Sequence, residues 1–505
     1  MISLDGHRLD LEDVARVARG REEVRLAPAA AKRVDASRKA LERILASGSL
    51  AYGIKTGFGE LAHVSIPDED ARRLQLNLLR SHAVGQGEPL RTDEVRATVL
   101  LRANTLAMGH SGVRRALVVR LLEMLNRGVQ PVVPSRGSLG ASGDLAPLAH
   151  LGLVTVGEGT AEVRGRVLPG EEALRRAGLP PLVLEAKEGL ALINGTAASA
   201  GVGALVVHDA LRLLKDAQVA ASLSFEALRG SPVPFDERIV GLKPQAGVRE
   251  VAGNLRRLLR RSEIIPSHRS PHRVQDPYTL RCIPQVLGAC RAAAAHAAGV
   301  VRIEMNAATD NPLLVDGESL SGGNFHGQAI AMALDALAVG MAVLAGFSER
   351  RIARLVDTRL SELPAFLTKE GGLNSGMMIL QYVAADYASQ NKVLAHPASA
   401  DSLPTSANQE DYVPMSMAAA LKARAAMENA ARVVAMEYLA AAQGLEFLLP
   451  LRAGLGPRAV RARIRRTIPA LAEDRPLAHE VERILGWMSS GELVAGAEAA
   501  AGRLA

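Results

Sequence analysis

The sequence predicts a mainly α-helical protein, with a mixed N-terminal region followed by a long central helical bundle. Hydrophobic residues make up 48% of the 505 residues, but aromatic residues only 3%. Alanine and leucine therefore supply much of the apolar content, which favours packed helices over sheets. A chain with this apolar content and 22% charged residues can build a large core, so it is neither disordered nor fibrous.

Long segments without proline, or with few glycines, predict the helices. Gly230 and Gly444 follow two of these segments at the place where a C-terminal cap belongs. A glycine between two valine-bearing arms predicts a small hairpin over residues 162–168. The predicted helices cover residues 94–106, 113–126, 204–228, 285–308, 328–355 and 414–443.

Changes in glycine and proline content predict three parts of the chain. Residues 1–200 are interrupted often and form a mixed N-terminal domain, residues 201–450 form the long-helix bundle, and residues 451–505 form a C-terminal helical segment. The central helices are apolar nearly all round, and such helices need neighbours on every side. We therefore expect several copies of the chain to pool these helices in an oligomer.

The net charge of +7 raises the question of a nucleic-acid or membrane partner. The densest arginine clusters carry no interleaved aromatic residues for stacking bases, so a solvated helix face explains them better. Neither nucleic acid nor membrane is expected as a partner. The clusters are Arg256, Arg257, Arg260 and Arg261, and then Arg461, Arg463, Arg465 and Arg466.

Cysteine usage and the N-terminus predict a soluble, cytoplasmic protein. Cys282 and Cys290 are too few for a disulfide framework. The N-terminus lacks the basic region and apolar stretch of a signal peptide. The longest apolar run, residues 329–347, contains Asp335 and is short for a membrane span, which favours a helix in a core or a subunit interface.

The most informative segment is GSLGASGDLAPLAH, residues 137–150, with three small residues in a row. It lacks the lysine of a phosphate-binding P-loop, and its serine does not stand in a G-x-S-x-G elbow. A tight turn before a helix, with Asp144 near the helix start, explains the segment without any chemistry. The residues alone favour this structural explanation.

Six further motifs, in order along nearly the whole chain, give the segment another meaning. Together they resemble the aromatic amino acid ammonia-lyases, and above all the histidine-specific branch of that family. The resemblance implies a helical homotetramer whose active sites draw on several subunits. The motifs are YGIKTGFG (52–59), LLRSHAVGQG (78–87), EGLALINGT (188–196), VQDPYTLRC (274–282), DNPL with GGNFHG (310–327) and TSANQED (405–411).

The resemblance implies that Ala141, Ser142 and Gly143 cyclise into a methylidene-imidazolone, so that no external cofactor is needed. The nitrogen of Gly143 would attack the carbonyl of Ala141, and two waters would be lost. Glycine leaves that nitrogen unobstructed, and Ser142 supplies the oxygen that departs. The substrate amine would then add to the methylidene carbon, which is covalent catalysis of ammonia loss.

The same resemblance assigns roles around the tripeptide. Tyr52 is the base for the β-proton, which requires a pKa well below the usual value of about 10. His82, after Ser81, and Glu410 would recognise an imidazole substrate, and Glu410 could move a proton. Taken one by one, these residues are more often structural. Asp144 would either assist cyclisation or hold the start of a helix.

The substrate carboxylate would bind Arg281, whose guanidinium suits a bidentate fork. Tyr278, Asn194 and Gln275 would complete this polar cradle, and Asn194 and Phe325 would also orient the prosthetic ring. His268 and His272 have the H-x-x-x-H spacing of a zinc site, but Pro271 lies between them and no glutamate follows His268. A loop explains them better, and no catalytic metal is predicted.

The expected reaction is therefore conversion of L-histidine to trans-urocanate and ammonia. The sequence departs from the histidine branch at Tyr412 and Pro414 and again at Gly327 and Gln328. These departures leave tyrosine ammonia-lyase or tyrosine aminomutase activity as the alternative. A non-catalytic helical assembly is a further alternative, whereas the loop of the fumarase and argininosuccinate lyase superfamily was not found.

Overall fold

The computed structural model describes residues 1–47, 66–268 and 274–505, and these form a mainly helical protein. The predicted fold class is confirmed. The helices are α1 (Leu11–Ala18), α2 (Pro28–Ala46), α3 (Ala71–His82), α4 (Thr92–Ala107), α5 (Arg115–Arg127), α6 (Leu145–Thr155), α7 (Gly170–Arg176), α8 (Glu188–Ile193), α9 (Ala197–Ala227), α10 (Glu237–Gly241), α11 (Ala246–Leu258), α12 (Ile264–Ser267), α13 (Tyr278–Arg281), α14 (Ile283–Glu304), α15 (Gln328–Val356), α16 (Thr358–Ser361), α17 (Met378–Leu394), α18 (Ser416–Glu446), α19 (Leu455–Arg465), α20 (Ala478–Ser490) and α21 (Glu492–Ala501).

Short strands accompany the helices of the first 170 residues and one later loop. They are β1 (Ile2–Leu4), β2 (Val24–Leu26), β3 (Gln86–Pro89), β4 (Gln130–Pro131), β5 (Pro134–Arg136), β6 (Thr160–Val163), β7 (Arg166–Pro169), β8 (Leu313–Val315) and β9 (Glu318–Leu320). Strands β6 and β7 pair antiparallel around Arg164 and Gly165. This confirms the hairpin that the sequence predicts over residues 162–168.

The chain divides into two compact units. One comprises Met1–His208, Ala297–Asp335 and Pro397–Leu421, and the other comprises Asp209–His296, Ala336–His396 and Lys422–Ala505. Four of the five borders fall inside the long helices α9, α14, α15 and α18, and the fifth, between His396 and Pro397, follows α17. The predicted division at residues 200 and 450 stays a prediction.

In the first unit, helix α4 is buried along nearly its whole length and packs against α1 and α5. Helices α3, α6 and α8 of the same unit pack on one another. Helix α6 begins directly after the small-residue tripeptide, and α8 ends just before Asn194. These two helices therefore carry the segments on which the predicted chemistry depends.

In the second unit, the side chains of Arg351 and Glu437 form a fully buried ion pair. Arg351 Nε lies 2.5 Å from Glu437 Oε1. Ser224 and Ser348 also donate to the Glu437 carboxylate. A buried ion pair needs such extra hydrogen bonds, because both charges have left water. The four residues lie on α9, α15 and α18, so the network links three long helices within this unit.

Several helix ends differ from the sequence prediction, and those of α9 and α18 have a clear structural cause. Helix α9 begins at Ala197, seven residues before the predicted start, and α18 continues through Gly444 to Glu446. The glycine at position 444 therefore does not cap the helix. Its missing side chain leaves room for close packing, since a Cβ there would lie 3.1 Å from the Cβ of Ala227.

Three described helices are long and apolar enough to cross a membrane, as judged by length and composition. They are α9, α14 and α15. The sequence analysis judged the apolar run 329–347 too short to span a membrane, but the helix that contains it, α15, continues to Val356. In their most apolar stretches, 83%, 39% and 61% of the residues, respectively, are buried within the protein. Helix α14 in particular buries fewer than half of the residues in its apolar stretch.

Candidate active site

The tripeptide Ala141-Ser142-Gly143 lies against the backbone of Gly195. The nitrogen of Gly195 donates to the Ser142 carbonyl at 3.3 Å, and the nitrogen of Asp144 donates to the Gly195 carbonyl at 2.8 Å. Gly143 has φ +77°, and a Cβ there would lie 2.2 Å from the carbonyl carbon of Gly195. Only glycine combines this backbone conformation with this close approach.

Asp144 anchors the tripeptide to the start of α9. Its Oδ2 accepts hydrogen bonds from the nitrogens of Ala198 and Ser199 at 2.9 and 2.8 Å, and its Oδ1 accepts one from Ser138 Oγ at 2.7 Å. A carboxylate at a helix N-terminus satisfies free N–H groups and the helix dipole. Burial raises the pKa of Asp144, although these donors act in the opposite direction.

The side chain of Ser142 is hydrogen-bonded to that of Glu410. Its Oγ donates to Glu410 Oε1 at 2.7 Å, and Thr405 Oγ1 donates to the other carboxylate oxygen at 3.1 Å. The backbones of Thr405 and Glu410 also bond to each other in both directions. The carboxylate is therefore held beside the hydroxyl that cyclisation would remove.

His82 lies at the end of α3, with Nδ1 2.9 Å from the carbonyl oxygen of Leu78. Ser81 Oγ also lies 3.0 Å from Nδ1. A carbonyl can only accept, so a hydrogen bond to Leu78 places the hydrogen on Nδ1 and leaves Nε2 as an acceptor. Burial lowers the pKa of His82, and the negative charge of Glu410 acts in the opposite direction. His82 is thus neutral at neutral pH and within electrostatic reach of Glu410.

Two further segments from distant parts of the sequence hold the turn before the tripeptide. The nitrogen of Gly327 donates to the Gly140 carbonyl at 3.1 Å, and the nitrogen of Met415 donates to the Leu139 carbonyl at 2.8 Å. Phe325 is half-buried two residues before Gly327. The segment that carries Phe325 is therefore attached to the tripeptide loop through Gly327.

Asn194 is buried, and its Nδ2 donates to the Asn311 carbonyl at 2.9 Å. Its Oδ1 has no hydrogen-bond partner among the described residues. The Asn194 carbonyl accepts a hydrogen bond from Arg102 Nη1 at 2.8 Å, and Lys187 pairs with Asp310 nearby in this network. Sequence reasoning missed Arg102 and Lys187, although the apolar run Val99–Leu101 directly before Arg102 could have marked it as buried.

The remaining predicted substrate-binding residues belong to the second unit. Gln275 and Arg281 line a cavity of about 1040 Å³ in that unit, and the guanidinium carbon of Arg281 lies 4.8 Å from the ring centre of the exposed Tyr278. Arg281 Nε is buried without a partner among the described residues. Tyr52 and His272 lie outside the described residues.

Comparison with known proteins assigns this arrangement to a family. The sequence profile of the aromatic amino acid lyases matches residues 9–466. The chain belongs to the aromatic amino acid lyase family. This assignment confirms the family and the carbon–nitrogen lyase class that the motifs predict.

Within this family, the chain is 52% identical to the histidine ammonia-lyase of Symbiobacterium thermophilum over 501 residues, covering 99% of both chains. Its fold is similar to the crystal structure of histidine ammonia-lyase from Trypanosoma cruzi, with a TM-score of 0.92, 39% identity and coverage of 99% and 95% of the two chains. It is also similar to tyrosine aminomutase from Streptomyces globisporus, with a TM-score of 0.94, 37% identity and full coverage of both chains.

Proposed function

We propose that this protein catalyses the non-oxidative deamination of L-histidine to trans-urocanate and ammonia. The similarity to histidine ammonia-lyases over nearly the full chain supports the substrate. The single structural observation that carries the proposal is the 2.7 Å hydrogen bond between Ser142 and Glu410, with His82 in electrostatic reach. A hydroxyl that must leave, a carboxylate beside it and a neutral imidazole are the groups this reaction needs.

The residues present fit a methylidene-imidazolone formed from Ala141, Ser142 and Gly143. The nitrogen of Gly143 would bond to the carbonyl carbon of Ala141 and pass its proton to the oxygen. That hydroxyl would leave as water with the Ser142 amide proton, and a second water would take the Ser142 hydroxyl and α-hydrogen. No oxidant is needed, and the close approach of Gly143 to Gly195 supports the strained turn that the first bond requires.

The group would supply an electrophilic carbon for the substrate amine, and the other residues would bind substrate and move protons. His82 Nε2, an acceptor, suits an N–H of the substrate imidazole. Glu410 would hold or transfer a proton beside that ring. Tyr52 is proposed as the base for the β-proton. Arg281 would bind the carboxylate, with Gln275, Tyr278 and Asn194 as its polar neighbours and Phe325 beside the prosthetic ring.

Tyrosine ammonia-lyase or aminomutase activity is the second candidate. The similarity of fold to a tyrosine aminomutase and the presence of Tyr412 where the histidine branch has another residue favour it. The two candidates form different products, trans-urocanate from histidine and p-coumarate or β-tyrosine from tyrosine. Ultraviolet absorbance and chromatography of the products from each amino acid therefore separate them.

We also propose that the protein acts as a cytoplasmic homotetramer. The uncovered apolar faces of helices such as α14 support self-association. An assembly would also allow Arg281 of one subunit to serve the tripeptide of another, as the family resemblance implies.

The proposed function is tested by replacing Ser142 with alanine. We expect Ser142→Ala to abolish deamination and to prevent loss of the second water, because no hydroxyl remains to leave, so that no chain shows the loss of two waters. Intact-mass analysis and a urocanate assay measure both effects. Ser490→Ala serves as the control, since Ser490 is exposed and its Oγ donates to the backbone carbonyl of Trp487. Full activity of Ser142→Ala would overturn the proposal.

A further inference from the structure

Three charged side chains are buried together behind Asn194. Arg102 is fully buried on α4, Lys187 is 1% exposed before α8, and Asp310 is 1% exposed in the loop before β8. Lys187 Nζ lies 2.8 Å from Asp310 Oδ2. Burial lowers the pKa of Arg102, and the charge of Asp310 acts in the opposite direction. Burying three charges is costly, so their placement calls for an explanation.

These charges hold Asn194 from two sides. Arg102 Nη1 donates to the Asn194 carbonyl at 2.8 Å, and Asn194 Nδ2 donates to the Asn311 carbonyl at 2.9 Å. Lys187 Nζ reaches the same Asn311 carbonyl at 3.4 Å. Arg102 therefore fixes the backbone of Asn194, and the Asn311 carbonyl, which Lys187 also contacts, fixes its side chain.

Gly195 separates the cluster from the tripeptide. A Cβ on Gly195 would lie 2.5 Å from Arg102 Nη1, and a Cβ on Gly143 would lie 2.2 Å from the Gly195 carbonyl carbon. Arg102, Gly195 and Gly143 are thus stacked in direct contact. A shift of the Arg102 guanidinium would move Gly195, and Gly195 would move the tripeptide that hydrogen-bonds to it.

A second buried arginine on the same helix shows what a purely structural role looks like. Arg96 is 2% exposed, and each of its three nitrogens donates to a backbone carbonyl of Val17, Ala18 or Leu125. Arg102 has one such bond, and its Nε and Nη2 have no partner among the described residues. Leaving a buried donor without a partner is costly, so the two unused donors of Arg102 call for an explanation beyond packing.

We propose that Arg102 is a positioning residue that sets the tripeptide for cyclisation. This inference rests on the proposed function. The new bond joins the Gly143 nitrogen to the Ala141 carbonyl carbon, and its rate depends on holding these atoms in contact. Arg102 does so through Asn194 and Gly195, while the negative charge of Asp310, itself held by Lys187 at 2.8 Å, attracts the guanidinium. Misplacement of reacting atoms by about 1 Å can cost roughly 100-fold in rate.

The test compares Arg102→Lys with Arg96→Lys in the full-length protein. Each variant keeps the charge and loses the planar fork, so each loses similar packing on α4. We expect Arg102→Lys to slow the loss of two waters roughly 100-fold, so that intact-mass spectra of freshly made protein show mostly unmodified chain. Arg96→Lys should lower the thermal midpoint and leave the modified fraction as in the parent. If Arg102→Lys does not fold, Arg102→Gln replaces it, because a neutral amide needs no counter-charge.

The kinetic readout separates positioning from stability. In Arg102→Lys, kcat per total enzyme should fall in proportion to the modified fraction, while KM for L-histidine stays within about twofold. Complete modification of Arg102→Lys, or equal losses in both variants, would overturn the inference and leave the proposed function standing. A parent chain that keeps its full unmodified mass while active would overturn the proposed function, and this inference with it.

Discussion

Ser142 and Glu410 stand 268 positions apart in the sequence, and the fold brings their side chains within 2.7 Å. Motif resemblance named both residues, but the residues themselves contain nothing that pairs them. Thr405 donates a hydrogen bond to Glu410, which fixes the carboxylate beside the hydroxyl of Ser142. Preorganised contacts of this kind would serve the proposed cyclisation of the tripeptide.

His82 is expected to determine the preference for an imidazole substrate. His82→Phe removes the Nε2 acceptor, so kcat/KM for L-histidine should fall by roughly 100-fold or more. The activity with L-phenylalanine should rise relative to that with L-histidine, because the replacement is apolar. Steady-state kinetics with both amino acids measure this ratio. His7→Phe, at an exposed position, is the control, and an unchanged kcat/KM for L-histidine in His82→Phe contradicts the assignment.

The protonation of His82 should make both kcat/KM and stability depend on pH. Burial lowers the pKa of His82 below its usual value of 6.5, so the neutral acceptor persists into mildly acidic solution. Protonation turns Nε2 into a donor, and kcat/KM should fall as pH drops through the lowered pKa. The unfolded chain binds this proton more readily than the folded chain, so stability also decreases as pH falls below about 6.5. His82→Phe should lack this acid-side decrease in activity.

The departures from the histidine branch show where sequence comparison ends. In the sequence, Tyr412 and Gly327 are unrelated exceptions. In the structure, His326 lies beside Gly327, its ring stacks on Tyr412 with centres 6.2 Å apart, and its Nε2 lies 3.2 Å from the Tyr412 carbonyl. The two departures are therefore neighbours. Arg102 could not be assigned from sequence either, because its role depends on which carbonyl it meets.

At the scale of elements, composition predicted the helices well and their ends poorly. The start of α9 depends on Asp144, which lies more than 50 residues earlier and binds the nitrogens of Ala198 and Ser199. No local pattern carries this tertiary cap, and so the glycines at 201 and 203 suggested a later start. Conversely, Gly444 lies within α18 and does not end it. Neighbouring side chains occupy the space that a side chain at position 444 would need, which explains the glycine there.

Gly128 shows a helix end that local chemistry does determine. It follows α5 with φ +69°, in the left-handed conformation of a C-terminal cap. Gly128→Ala should destabilise the protein by about 1 kcal/mol, although the side chain meets open space, because alanine disfavours this conformation. Gly486→Ala, within α20 and also in open space, should instead stabilise by about 0.5–1 kcal/mol. Urea unfolding of both variants measures the opposite signs, and equal shifts would refute the backbone argument.

At the scale of the whole molecule, the arginine side chains near the C-terminus are paired with other side chains, although their sequence suggests that they are simply solvated. Arg461 and Arg465 both bind Glu446, and Arg463 binds Glu492 and lies over the ring of Trp487. The sequence interpretation as a solvated face is wrong for Arg465, whose side chain is 15% exposed. Charge runs can be read from sequence, but their partners come from distant positions that only the fold brings near.

The apolar faces left uncovered on single chains lead to a prediction about assembly. Val339 and Val343 lie one turn apart on α15, are 43% and 46% exposed, and would be buried in the proposed homotetramer. Replacing both by glutamate would place two charges in an apolar contact, at a cost of several kcal/mol. We expect the double variant to sediment as a species smaller than a tetramer and to lose deaminase activity, if active sites draw on several subunits. Val167→Glu on β7, where the valine is 63% exposed, should leave mass and activity unchanged. A tetrameric, active double variant would place the interface elsewhere.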